Sequence, residues 1–219
     1  MAELTKDTAR KSFDEAGKSI SICENHVDRS ATLLSELESK PKTDEVNALI
    51  GIAKISLIID FINLDLCAAL RQYLSSELST KYDKRQAMTK INIVMSEGYK
   101  KIYGFENKQR EKSYWVNHIK TVVDFIGGFD KEYKELEAKL VDFGNNDSLN
   151  KDMRDLAVHY DRDPIKVYCM LSELNAEEIT RRCKKFYDLI NSITKFVWQL
   201  SNKMMSKLSR VQLSQRRGI

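Results

Sequence analysis

Along most of this chain apolar residues recur at steps of three and four, and no stretch keeps the two-residue alternation with hairpin turns that a half-buried strand requires. The pattern predicts an all-α fold, a helical bundle of about six to seven helices. A first helix over 5–38 carries Ala9, Phe13, Ala16, Ile20, Val27, Leu34 and Leu37 on one stripe, and Pro41 ends the connection after it. The second, over 44–79, contains the most apolar run. A third, over 83–103, aligns Met88, Ile91, Met95, Tyr99 and Ile102, with Gly104 placed to stop it. A fourth, over 107–143, carries Trp115, Ile119, Val122, Ile126, Phe129, Tyr133, Leu136 and Leu140, and the Gly127-Gly128 pair in its middle is expected to bend it or to let another helix come close. Gly144-Asn145-Asn146-Asp147 reads as the clearest loop, leading into a helix over 148–160 anchored by Met153, Leu156 and Ala157. Asp163 caps a short helix that opens at Pro164. Asn175, with Glu178 three residues on, begins the last long helix, whose stripe is Ile179, Cys183, Phe186, Ile190, Ile193, Val197, Leu200 and Met204. Residues 1–208 thus read as one helical-bundle domain, and 209–219 as a basic, disordered tail.

The apolar run at 48–70 is long enough to suit a membrane span, but Lys54, Asp60 and Asp65 interrupt it. Each charge at mid-bilayer costs about 2.5 to 3.5 kcal/mol, so the segment is expected to be a helix buried nearly all round, at the bundle centre or in a dimer interface. The two aspartates lack the i, i+4 spacing of a paired carboxylate site.

Composition agrees with this picture and narrows the chemistry. Eight glycines and two prolines in 219 residues are few turn formers, which favours long helices. With 42% apolar and 31% charged residues the chain has the balance of a soluble protein. The four cysteines, Cys23, Cys67, Cys169 and Cys183, show no Cys-x-x-Cys spacing and fall in helical patterns, so they read as reduced, mostly buried thiols of a cytoplasmic protein. The start, Met-Ala-Glu-Leu-Thr-Lys-Asp, lacks the basic and apolar runs of a secretory signal. Glu-x-x-His pairs, His-Glu-x-x-His, Gly-x-Ser-x-Gly and Gly-rich phosphate loops are all missing, so no metal or cofactor is expected. His26 has no evident partner and reads as a surface residue, and His118, among Tyr114, Trp115 and Asn117, as a structural one. The net charge of +4 is uneven: from residue 176 onward there are ten basic residues against three acidic. A helix of that kind can attract RNA phosphates or simply be a solvated face.

One polar stretch is hard to explain by packing. In Asn-Lys-Asp-Met-Arg-Asp-Leu-Ala-Val-His-Tyr-Asp-Arg-Asp-Pro, residues 150–164, Arg154 precedes His159 by four intervening residues, Asp155 follows the arginine and Tyr160 follows the histidine. On a helix Asp155 and His159 stand one turn apart, so the carboxylate can orient the imidazole. Arg154 lies about 140° around the axis from His159, so one straight helix cannot aim both at the same atom.

The stretch resembles the signature of the HEPN superfamily (higher eukaryotes and prokaryotes nucleotide-binding), helical bundles carrying Arg, a polar residue, and His after four to six intervening residues in all. The matching positions are Arg154, Asp155 and His159. The resemblance implies a homodimer in which two motifs face one cleft, which would resolve the angular problem, and a metal-independent endoribonuclease of a toxin or defence system, paired with a nucleotidyltransferase antitoxin in some members. It also implies roles: His159 as acid or base, Arg154 on the phosphate, Asp155 orienting either one, and Tyr160 as a weaker phosphate donor. The alternative is a non-catalytic helical module that binds RNA, a nucleotide or a protein.

Overall fold

A computed structural model describes residues 6–75, 80–146 and 164–216, and every regular element among them is helical, as the apolar period predicts. The elements are α1 (Lys6–Glu38), α2 (Asp44–Leu74), α3 (Lys81–Ile102), the single turn α4 (Asn107–Arg110), a π-helical segment (Trp115–Lys120), α5 (Thr121–Ile126), α6 (Asp130–Asn146), α7 (Pro164–Ser172) and α8 (Ala176–Arg216). Their starts are written in short polar residues that satisfy the orphan amides of a first turn. The Val46 amide donates to Thr43 Oγ1 at 3.3 Å to open α2. Thr80 and Asp83 form a reciprocal box at the head of α3, with the Asp83 amide on Thr80 Oγ1 at 3.1 Å and the Thr80 amide on Asp83 Oδ2 at 3.2 Å. Asn175 Oδ1 accepts from the amides of Glu177 and Glu178 at 2.9 and 3.1 Å. Each such cap is worth about 1 kcal/mol.

The second helix occupies the middle of the fold, packing on α1, α3, the π segment, α5 and α8. Ala48, Ile55, Ile59, Ile62 and Leu66 are buried on it, which accounts for the apolar run by burial inside the bundle. Among the described residues no helix is long and apolar enough to cross a membrane. One contiguous cluster joins α2, α3, the π segment, α5, α6 and α8, with Met95, Trp115, Ile119, Phe186, Ile190 and Ile193 fully enclosed. Burying a large apolar side chain contributes about 1.5 to 3 kcal/mol, so this cluster is the main source of cohesion. Every residue of the stripe expected on α8, from Ile179 to Met204, is buried. The first helix is peripheral. It lies along α2 through Ala16, Cys23 and Leu37 and leaves Ile22 and Leu33 exposed.

Three local expectations are corrected. The segment 107–143 is not one bent helix: Gly127 and Gly128 have φ of +74° and +80°, which a right-handed helix cannot propagate, so α5 stops there and α6 begins at Asp130. Upstream, the Asn117 side-chain amide donates to the carbonyls of Glu111 and Ser113 at 2.7 and 3.1 Å, holding the irregular turn that leads into the π segment. Gly144 is not in a loop, because α6 continues through Asn146. The glycine is there for space: a Cβ would fall on the Tyr99 hydroxyl and 2.7 Å from the ring carbon that bears it. That hydroxyl donates to the Leu140 carbonyl at 3.0 Å and so ties α3 to α6. Finally, α8 is helical through Arg216, past residue 208, where the charge pattern set the start of a tail.

Candidate functional site

Arg154, Asp155, His159 and Tyr160 lie outside the described residues, as does Asp163, the expected cap of α7. The described residues that flank them are Asn146, the last of α6, and Pro164, which opens α7 as its missing amide and fixed φ favour. At its start α7 presents Ile165 and Tyr168, 69% and 68% exposed and one helical turn apart.

The basic content of α8 is less of a single face than its count suggests. Arg182 is only 9% exposed and pairs with Glu178 one turn earlier. Lys207 is drawn to α5, where its Nζ donates to the Phe125 carbonyl at 3.1 Å and sits 3.9 Å from the Phe125 ring centroid. Lys185 lines a cavity against Lys139 and Asp142 of α6, whereas Lys184 lines a different cleft with α1, α2 and α3. Successive residues on a helix diverge by about 100°, so basic residues at 181, 182, 184 and 185 are distributed around the axis.

Of the two described histidines, His118 fits its structural reading. It belongs to the π segment and packs beside Tyr114, ring centroids 5.1 Å apart, and its backbone carbonyl lies against Gly51 of α2. Burial, and then the nearby Lys54 ammonium, hold its pKa below the usual value, so it stays neutral. His26 does have a partner, which the sequence reading missed. Its Nδ1 lies 4.0 Å from Asp60 Oδ1 across the α1–α2 contact, the imidazole 56% and the carboxylate 14% exposed. Burial raises the Asp60 pKa, and His26 only partly offsets the rise. The signal was present in principle. Antiparallel helices joined at residue 43 pair residues at matching distances from the turn, and Asp60–His26, Cys67–Ser19 and Arg71–Phe13 follow that register.

Three of the four thiols are buried. Burial pushes Cys23 up to about 11 and Cys183 up to about 12, and raises Cys67 as well, while Cys169 is exposed. Among the described residues no three His, Cys, Asp or Glu side chains converge as a metal site would require. A cleft of about 560 Å³ between α1, α2, α3 and α8 is walled mainly by apolar residues such as Leu70, Met88 and Ile91. A smaller one, of about 240 Å³, lies beside the His26–Asp60 pair.

No protein-family model, curated protein or solved structure matches the chain.

Proposed function

We propose that this chain is a HEPN-type, metal-independent endoribonuclease whose Arg154 and His159 act on RNA phosphodiesters in a cleft between two copies. The observation that carries the reading is the spacing Arg154, Asp155, three residues, His159 in a chain whose regular elements, among the described residues, are all helical. One further feature supports it. The exposed Ile165 and Tyr168 of α7 offer apolar surface that a second copy can cover.

RNA supplies its own nucleophile in the 2′-hydroxyl. One His159 takes the 2′-hydroxyl proton as the 2′-oxygen bonds to phosphorus, and the His159 of the second copy gives a proton to the departing 5′-oxygen. The products are a 2′,3′-cyclic phosphate and a 5′-hydroxyl. General acid–base catalysis of this kind contributes about 10²- to 10⁴-fold. Arg154 holds two phosphoryl oxygens as charge builds on them, Asp155 fixes the orientation of His159, and Tyr160 adds a hydrogen bond to the phosphate. Where the chain belongs to a toxin or defence system, a nucleotidyltransferase is the partner that would silence it.

The test is cleavage of single-stranded RNA in excess chelator by the wild-type chain and by the His159→Ala and Arg154→Ala variants. Wild-type cleavage that falls by at least 10²-fold in each variant supports the reading. Equal cleavage by all three, or none by any, refutes it. The last outcome would favour a non-catalytic binding module, the alternative to which the exposed Trp198 on basic α8 lends weight.

A further inference from the structure

The small cavity beside the His26–Asp60 pair is built from three helices. α1 contributes His26 and Arg29, α2 contributes Ser56 and Asp60, and α8 contributes Trp198 and Ser201. Three independent features meet there. First, Trp198 is 66% exposed although Val197 before it and Leu200 after it are buried, so the core has no claim on this indole. A large aromatic face left in water on a helix of this length is a platform for stacking. Second, the Asp60 carboxylate is largely withdrawn from water, and its neighbour His26, at 4.0 Å, is beyond hydrogen-bond distance. Both carboxylate oxygens therefore keep capacity to accept from a ligand. Third, Arg29 stands at the exposed rim with no ion-pair partner among the described residues.

The volume selects the size of ligand. About 240 Å³ is below the roughly 300 to 1,000 Å³ that enclose a drug-sized molecule, so the cavity takes one planar ring system and leaves any attached sugar and phosphate outside. The carboxylate selects its edge. An ionised carboxylate only accepts, and guanine is the base that presents two adjacent donors, N1–H and the N2 amino group, to match two oxygens. Adenine and cytosine set a ring acceptor beside their amino group, which repels a carboxylate. Uracil has one N–H between two carbonyls.

We propose that this cavity binds a guanine base, stacked on Trp198, with Asp60 accepting from its Watson–Crick edge and Arg29 reaching the adjoining phosphate. The proposal rests on the RNA reading above only for the source of the base. The site shares no residue with the Arg154–His159 motif.

Intrinsic fluorescence tests it, because Trp115 is enclosed in the core and Trp198 is the indole that solutes reach. The His159→Ala chain is titrated with GMP, AMP, CMP and UMP and with guanine-rich and uridine-rich hexaribonucleotides, so that turnover plays no part and a failed cleavage reading leaves the result intact. Saturable quenching by GMP at least tenfold tighter than by the other three is expected. Trp198→Ala should abolish the quenching, and Asp60→Asn, checked for unchanged helicity, should erase the preference for guanine while stacking persists. A guanine-rich hexamer that binds tighter than GMP, with the gain lost in Arg29→Ala, identifies RNA as the source, and equal affinity identifies the free nucleotide. Absence of saturable quenching, quenching that survives Trp198→Ala, or equal response to all four bases would overturn the proposal.

Discussion

Single residues in this chain show how environment decides what a titratable group does. His118 and His26 each follow an asparagine and precede an apolar β-branched residue, yet one is a packed, neutral imidazole and the other stands at the edge of a cavity facing a carboxylate. The difference has a consequence for stability. The folded chain holds the His118 pKa below its ordinary 6.5, whereas in the unfolded chain it returns to that value. As pH falls from 7 toward 5 the unfolded state takes up the proton first, so the stability present above pH 6.5 is progressively lost. Denaturant melts at pH 7, 6 and 5 are expected to show a smaller loss for His118→Gln than for the wild type. Identical losses would mean that the buried imidazole contributes nothing to the acid sensitivity.

At the scale of elements, two close contacts set the geometry. The α1–α2 hairpin turns at Pro41 and Thr43, and its antiparallel register brings His26 to Asp60 and Ser19 to Cys67 although each pair is far apart in the chain. The second contact is that of α6 with α3 at Gly144. Because the Tyr99 hydroxyl is committed to the Leu140 carbonyl in the core, it cannot move aside for a side chain. Gly144→Ala should therefore destabilise the fold by about 1 to 3 kcal/mol, the usual cost of overpacking, even though alanine is the better helix former. Truncating the phenol should partly rescue it, so the loss in Gly144→Ala/Tyr99→Phe is expected to be less than the sum of the two single changes in urea melts.

For the molecule as a whole, the three thiols Cys23, Cys67 and Cys183 report how well the bundle is closed. They come from α1, α2 and α8, and burial raises the pKa of each. A thiol that is both inaccessible and protonated is a poor nucleophile, so a disulfide reagent at neutral pH should titrate about one thiol per native chain, Cys169, and all four only in denaturant. Rapid reaction of three or four in the native chain would show that α1 opens away from α2.

Helical class, stripe and stop were legible in the sequence because each is a property of neighbours. The 3.6-residue period named the buried residues of α3 and α8, Gly104 was rightly placed as a terminator, and Pro164 as an opener. The candidate motif was legible for the same reason, since Arg154, Asp155 and His159 fall within six consecutive positions. The Gly127-Gly128 break was half visible. Two glycines announce a disturbance, but whether the chain bends or stops depends on the φ values that packing imposes. Gly144 misled, because a glycine beside two asparagines looks like a loop until Tyr99 is seen to need the space. His26 facing Asp60, and Trp198 lining the same cavity as both, were decided by the tertiary structure alone. Their proximity is set by the register of one helix pair and by where a third helix crosses it, and such distances depend on packing between elements rather than on the order of residues within any of them.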